Sequence, residues 1–301
     1  MRKVRIGFLL PRYSRRSTSL MPAVVQALAD NGAIVDVLHP VEQIVDLSAV
    51  RVEHDLYVLR RWGGLALSLA GALHELGASI VNRYSVTAAL RDKIITARVL
   101  QAAGIPMPRT WVASHSDQLA PLLDDGPIIV KPYEGGNGHH IKIIRSLAEL
   151  LQVDRHGEPL FAQRYHPHDG RDRKIYAIGG QLFGVKKVFP RRTEEDDYGE
   201  PFTLTPELRD IAVRCGQAFG IDLYGVDIIE SEGKPYVVDM CSIPGFKGVP
   251  DAVPVLTRYF YEAAERGASG EPPPQIAATA DSGHDPHAEL TALGARVWPA
   301  P

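Results

Sequence analysis

Cysteine is scarce in this chain. Cys215 and Cys241 are the only two in 301 residues, and they lack metal-pair spacing, so a disulfide scaffold and a zinc ribbon are excluded and a reducing compartment fits. No apolar run approaches the roughly 20 residues that a bilayer-spanning helix needs. The chain enters strand-like VRIGFLL at Val4 without the apolar core and cleavage site of a secretory signal, so a cytoplasmic location and no membrane partner are expected. Net charge is −3, which gives no global basic field for nucleic acid, and any anion must be bound locally. The Gly-x-Gly-x-x-Gly dinucleotide fingerprint and the Gly-Lys-Ser/Thr phosphate loop are both missing. There is no internal repeat.

Hydrophobic residues make up 45% of the chain, enough for large cores and two or three small domains. Its most informative stretch is Tyr224–Gly248, where two β-branched, aromatic-rich runs, Tyr224–Glu230 and Tyr236–Cys241, flank Ser-Glu-Gly-Lys. This reads as a strand pair closed by a short glycine-containing loop. An odd-numbered loop centred on Gly233 would set Asp227 directly opposite Asp239, with Cys241 on the face of Asp239. Opposed carboxylates repel, and oxygen ligands on neighbouring strands suit Mg²⁺ or Mn²⁺. The ordinary alternative is a solvated edge hairpin with two surface acids, but Val226, Ile228, Val237 and Val238 make these strands too apolar for a free edge.

Upstream, Val4–Leu10, Leu20–Asn31, Ile34–Leu38, Leu56–Leu59, Leu65–Leu76 and Ile80–Val81 alternate strand and helix, which predicts a small open α/β sheet with mostly parallel strands. Ligands of such sheets sit beyond the carboxyl ends of the strands. Arg60 and Arg61 fall there, either holding an anionic substrate or standing as ordinary surface arginines. Asp92 is a candidate N-cap for a helix running to Gly104 with Lys93 in its first turn. Lys131 ends the apolar strand Ile128–Pro132 directly before the glycine-rich Tyr133–His140, a combination able to close backbone N–H groups and one ammonium around a phosphate. Lys174, Lys186, Lys187, Arg191 and Arg192 gather positive charge on a strand pair that turns at Gly179-Gly180, suited to phosphate or to a solvated basic face. Thr205 caps a helix to Phe219 that buries Cys215. From about Ala268 the composition turns to Gly, Pro, Ala, Ser and His, as in a tail outside the packed core, with one short helix in AELTALGARVW.

Taken in order, the Arg-Asp-Lys helix start, AGIPMPRT, IVKPYEGGNGHH, FAQRY, GRDRKIYAIGG, YGVDIIE and VVDMCSIPGF resemble the ATP-grasp superfamily from about Val4 to Arg266. Arg91–Thr110 is similar to RimK-type carboxylate–amine (glutamate) ligases, whereas KIYAIGG, VKK and GVDIIE…DMCSIPGFKG are also similar to inositol trisphosphate kinases. The resemblance implies an α/β (α+β) ATP-grasp fold. Its parts would be an N-terminal open α/β domain over 1–90 and an ATP-grasp region over 91–266, followed by a tail over 267–301. Within the ATP-grasp region the lid would cover about 110–165 and the nucleotide- and metal-binding subdomain about 166–266. It further implies that Lys93, Lys131, Glu134 and the loop glycines Gly135, Gly136 and Gly138 contact ATP, that Gln163, Arg164 and Tyr165 run along the adenine, and that Asp172 lies near the ribose. Lys174 and Lys186 would be catalytic, and Asp227, Asp239 and Cys241 would face Mg²⁺ (or Mn²⁺). Cys241 stands where relatives carry Asn, and the Arg-x-x-Asn segment of RimK-type ligases is not recognisable in Arg191–Leu204. The implied activity is amide formation from a small-molecule or peptide carboxylate and an amine through an acyl-phosphate. The alternatives are a polyol kinase and a non-catalytic ATP-binding protein. Homodimerisation is common in the family.

Overall fold

The computed structural model describes residues 2–14, 16–40, 44–60, 63–135, 141–153, 157–189 and 193–272. Alternating apolar strands and one-faced helices build its first part, as their periodicity requires. β1 (Arg5–Leu9), α1 (Met21–Asp30), β2 (Ile34–Leu38), β3 (Leu56–Leu59), α2 (Leu65–Glu75) and β4 (Ile80–Val81) give a parallel sheet of order β2-β1-β3-β4. All four residues of β3 are buried. The carboxyl ends of β1 and β3 lie side by side, with the Arg60 N–H donating to the Leu9 carbonyl.

The segment after β4 holds a helix that sequence spacing does not reveal, α3 (Tyr84–Arg91), whose few buried residues, Val86, Thr87 and Leu90, are interrupted by polar ones. Asp92 then caps α4 (Lys93–Ala102) as expected, its carboxylate accepting from the N–H groups of Ile94 and Ile95. Next comes an antiparallel sheet of β5 (Thr110–Ala113), β6 (Ile128–Pro132), β7 (Lys142–Ile144) and β8 (Leu160–Arg164) in the order β5-β8-β6-β7, with the single-turn α5 (Leu147–Leu150) between β7 and β8.

A larger antiparallel sheet follows, of order β11-β10-β9-β12-β13. It comprises β9 (Arg171–Ile178), β10 (Gln181–Val188), β11 (Glu200–Phe202), β12 (Leu223–Ser231) and β13 (Lys234–Ser242), with α6 (Glu194–Tyr198) before β11 and α7 (Pro206–Phe219) after it. Thr205 caps α7, and Leu208, Ile211, Ala212, Cys215 and Phe219 bury one face of it. Burial pushes the Cys215 thiol up to about 12, so it stays a protonated core residue.

The last helix, α8 (Ala252–Ala268), returns to the first sheet: Leu256, Phe260, Ala263 and Ala264 join Ile6, Phe8, Val24 and Leu28 in one core. Phe8 and Phe260 meet edge to face, ring centroids 5.7 Å apart. Gly267 and Ala268, expected to begin the tail, belong to α8. Residues 273–301, with the expected short helix, lie outside the described residues. Among the described residues no helix is long and apolar enough to cross a membrane.

Candidate active site

The β12–β13 hairpin sets the centre of the site. Asp227 and Asp239 are directly opposed partners, as the sequence pattern predicts, but the loop between them is not odd. Ser231 pairs with Lys234 across the two-residue turn Glu232-Gly233, both with positive φ (52° and 75°), the hairpin geometry that follows strand twist. An even turn alone would pair Asp227 with Val238. Between Ile228↔Val237 and Asp227↔Asp239 the register shifts, so Val238 is the extra residue of a β-bulge, and that insertion brings the carboxylates face to face.

The bulge has a second consequence. Lys131, buried at the end of β6, donates to the Val238 carbonyl at 3.1 Å and to Gln163 Oε1 at 2.8 Å. One ammonium thus ties the smaller antiparallel sheet to the larger. Burial pushes Lys131 down to about 8, although Asp239 pulls the other way. Lys93 approaches from the start of α4: its N–H donates to the Tyr133 carbonyl at 2.8 Å, and its Nζ donates to the Gly135 carbonyl. Arg91 pairs with Glu134 at 2.7 Å, so the beginning of the glycine loop is held by α3 and α4.

These groups open onto one cleft of about 610 Å³, within the size range of small-molecule sites. Among the predicted residues, Arg60, Lys93, Lys131, Glu134, Gly135, Asp172, Lys174, Asp227, Asp239 and Cys241 line it. Gly136, Gly138 and Arg61 lie outside the described residues. Gln163 is buried behind the cleft as the partner of Lys131. Arg164 turns away, donating to the carbonyls of Leu122, Gly126 and Pro127, and the Tyr165 ring lies beneath Arg145; neither side chain lines the cleft.

Lys186 requires correction. Across β9 and β10, Lys187 is opposite Asp172 and Val185 opposite Lys174, whereas Lys186 is opposite Arg173. Side chains alternate faces along a strand, so Lys187 shares the cleft face with Asp172 and Lys174, and Lys186 faces away. The cleft also takes in Ile129, Ile141, Phe189 and Ile229, an apolar lining that no motif marks, together with His168, Asp197 and Lys247. Ser242, next to Cys241, is fixed from a distance: Asn82 Nδ2 donates to its hydroxyl at 3.0 Å, and Thr87 Oγ1 lies 3.1 Å from it.

Electrostatically the centre is a crossed set of charges. Lys174 Nζ lies 2.7 Å from Asp227 Oδ1 and 2.9 Å from Oδ2; only Oδ2 accepts in hydrogen-bond geometry, leaving Oδ1 a buried oxygen without a hydrogen bond. Burial alone would lower Lys174, but the Asp227 carboxylate overrides it and drives the ammonium well above its ordinary value. Burial raises the Asp239 carboxyl, with Lys93 opposing and Asp227 reinforcing. Burial also pushes the Cys241 thiol up to about 12, so it stays protonated and is a poor ligand for a hard cation. Two facing carboxylates with an unsatisfied oxygen fit one Mg²⁺ or Mn²⁺. Among the described residues no third His, Cys, Asp or Glu completes a cluster, so the other ligands would be water and phosphate oxygens.

The chain resembles known proteins in sequence and in fold. A probable alpha-L-glutamate ligase of Citrobacter koseri is 27% identical over 255 residues, spanning 74% of this chain and 84% of the relative. One of Aliivibrio fischeri is 25% identical over 276 residues, spanning 83% and 91%. Among solved structures, a RimK domain ATP-grasp protein from Sphaerobacter thermophilus superposes with a TM-score of 0.65 at 19% identity, covering 79% of this chain and 91% of that one. The ATP-grasp ligase PsnB, solved with a minimal precursor, Mg and ADP, superposes with a TM-score of 0.64 at 18% identity, covering 88% and 99%. At these identities the superpositions establish the ATP-grasp fold. The RimK-like ATP-grasp domain itself matches residues 90–255, which takes in α4, the Lys131 strand and both carboxylate strands, and by that match over more than half its length the chain belongs to the RimK-like ATP-grasp family.

Proposed function

We propose that this chain is an ATP-dependent carboxylate–amine ligase that works through an acyl-phosphate, with Mg²⁺ held by Asp227 and Asp239. The observation that carries the reading is the convergence of Lys93, Lys131 and the opposed Asp227–Asp239 pair on one cleft. Phosphoryl transfer asks for in-line positioning and charge neutralisation rather than a protein nucleophile. Lys131 and Lys93 would hold phosphate oxygens, aided by backbone N–H groups of the loop that begins at Gly135. Ile129, Phe189 and Ile229 offer the base an apolar slot. Mg²⁺, when bound, would screen the phosphoryl oxygens. Lys174, fixed by Asp227, supplies a further cation beside the transferring group, and Arg60 meets a substrate carboxylate. The relatives are named as alpha-L-glutamate ligases, which supports L-glutamate as one of the two substrates.

The test is incubation of the full chain with Mg·ATP, L-glutamate and a panel of carboxylic acids and peptides, followed by mass analysis. A condensed product with ADP is the expected result. A substrate that gains phosphate would mark a kinase instead, and nucleotide binding without turnover would mark a non-catalytic protein.

A further inference from the structure

Several charged groups in the cleft are used neither for the nucleotide nor for the metal. Asp197 of α6 sets Oδ2 2.7 Å from Lys247 Nζ, in the loop after β13, and its carbonyl accepts from Lys187 Nζ. Asp197, Lys187, Lys247 and Arg60 all line the cleft. Arg60 makes no side-chain hydrogen bond among the described residues, its Nε is buried without one, and a Cβ at Gly245, in the loop that carries Lys247, would stand 3.8 Å from its guanidinium. The Asp197 carboxylate is therefore paired with Lys247 in a cleft that Lys187 and Arg60 also line.

The contact is built. A Cβ at Gly248, which has a φ of 83°, would stand 2.0 Å from the Tyr198 carbonyl oxygen, so only glycine there lets the Lys247 loop seat against α6. Lys247 Nζ also lies 5.7 Å from the centre of the Tyr198 ring. The two partners differ in what release costs them. Lys247 is 18% exposed and needs a counter-charge, whereas Asp197 is 39% exposed and finds water as soon as it swings away. Its helix is short, and its capping box is local, between Thr193 and Asp196.

We propose that Asp197 occupies, in the resting chain, the place of a substrate carboxylate, and that Lys247 with Arg60 forms the subsite that selects a carboxylate-bearing substrate, which displaces Asp197 on binding. This rests on the ligase reading of the cleft. The recognised chemistry is a carboxylate, borne either by the acid to be activated or by an amino acid that supplies the amine.

The test uses the full chain saturated with Mg²⁺ and a non-hydrolysable ATP analogue, titrated calorimetrically with L-glutamate. Wild type is compared with Asp197→Asn, Lys247→Gln and the double variant. Removing the competing carboxylate should tighten L-glutamate about fivefold, the weight of a partly exposed ion pair. Lys247→Gln should weaken it, and Asp197→Asn should gain less in that background than in the wild type, because the Asp197–Lys247 ion pair is already gone. Asp197→Ser serves as a second variant should Asp197→Asn fail to fold. Unchanged or weaker binding in the Asp197 variants overturns the proposal, as does a wild type that binds the nucleotide but shows no L-glutamate binding in any form. A wild type that does not bind the nucleotide refutes the ligase reading itself. Hydroxylamine with ATP then separates the two sources: a glutamyl hydroxamate marks L-glutamate as the acid, and its absence despite binding marks it as the amine donor.

Discussion

Lys131 is a buried ammonium whose two partners, Gln163 Oε1 and the Val238 carbonyl, are both neutral. Its pKa falls from 10.5 to about 8, and two consequences follow. Between those values the unfolded chain binds the proton that the folded chain has released, so this residue makes folding more favourable as pH rises through that window. Nucleotide phosphates favour the charged form, so binding should take up a proton above about pH 8 and weaken as pH climbs further. Calorimetry in buffers of different ionisation enthalpy measures that uptake, and finding none above this pH would remove Lys131 from the phosphate site. Lys131→Met should lose about 10- to 100-fold in nucleotide affinity, the scale of a hydrogen bond to a charged group. At the metal, Asp239→Asn should abolish turnover, whereas Cys241→Asn should retain it or raise it at low Mg²⁺, since an amide oxygen replaces a protonated sulfur. Steady-state rates across a Mg²⁺ titration decide, and an active Asp239→Asn beside a dead Cys241→Asn would place the metal elsewhere. Lys131 and Asp239 were readable in the sequence because each interrupts an apolar strand with a charge.

At the scale of elements, the β12–β13 hairpin shows where pattern reading stops. Opposition of Asp227 and Asp239 follows from the two strands, but an odd loop and an even turn with one bulged residue give the same pairing, and Val238 looks like any other strand valine. Glu232 occupies a position with φ of 52°, which costs a non-glycine residue roughly 1 kcal/mol. Glu232→Asn, which makes the Asn-Gly pair that such turns favour, should raise stability by about 0.5–1 kcal/mol. A higher urea midpoint with unchanged slope would show it; a lower midpoint would contradict the turn. Lys187 was within reach of the sequence, since a turn at Gly179-Gly180 pairs residue 178 with 181 and therefore Asp172 with Lys187. Choosing Lys186 put a cation on the wrong face. Helix α8, which the sequence reading did not name, was within its reach as well, with apolar Leu256, Tyr259, Phe260, Ala263 and Ala264 at helical spacing. Phe260 is fully buried against Phe8, and Phe260→Ala should cost about 3–5 kcal/mol in chemical denaturation.

The whole molecule places its site where its sheets meet. The parallel sheet brings Arg60 to the cleft from the carboxyl end of β3, the smaller antiparallel sheet brings Lys131, and the larger one brings Asp172, Lys174, Asp227 and Asp239. Contacts that lock these parts join distant residues: Asn82 with Ser242 and the Leu223 carbonyl, Tyr259 with Asp222 at 2.6 Å, Lys131 with Val238. No local pattern announces them, because each depends on the docking of segments that only tertiary packing brings together. The same holds for the apolar slot of Ile129, Phe189 and Ile229 and for Asp197 against Lys247. The ligase reading as a whole is tested most directly by following the carboxylate oxygens of the acid. With heavy oxygen in the carboxylates of the acid substrate, which the hydroxylamine trap identifies as L-glutamate or its co-substrate, Mg·ATP and the full chain, turnover through an acyl-phosphate must release inorganic phosphate bearing one heavy oxygen, and Asp239→Asn must release none. ADP formation that depends on that acid but gives unlabelled phosphate, or labelled phosphate from Asp239→Asn at the wild-type rate, would contradict it.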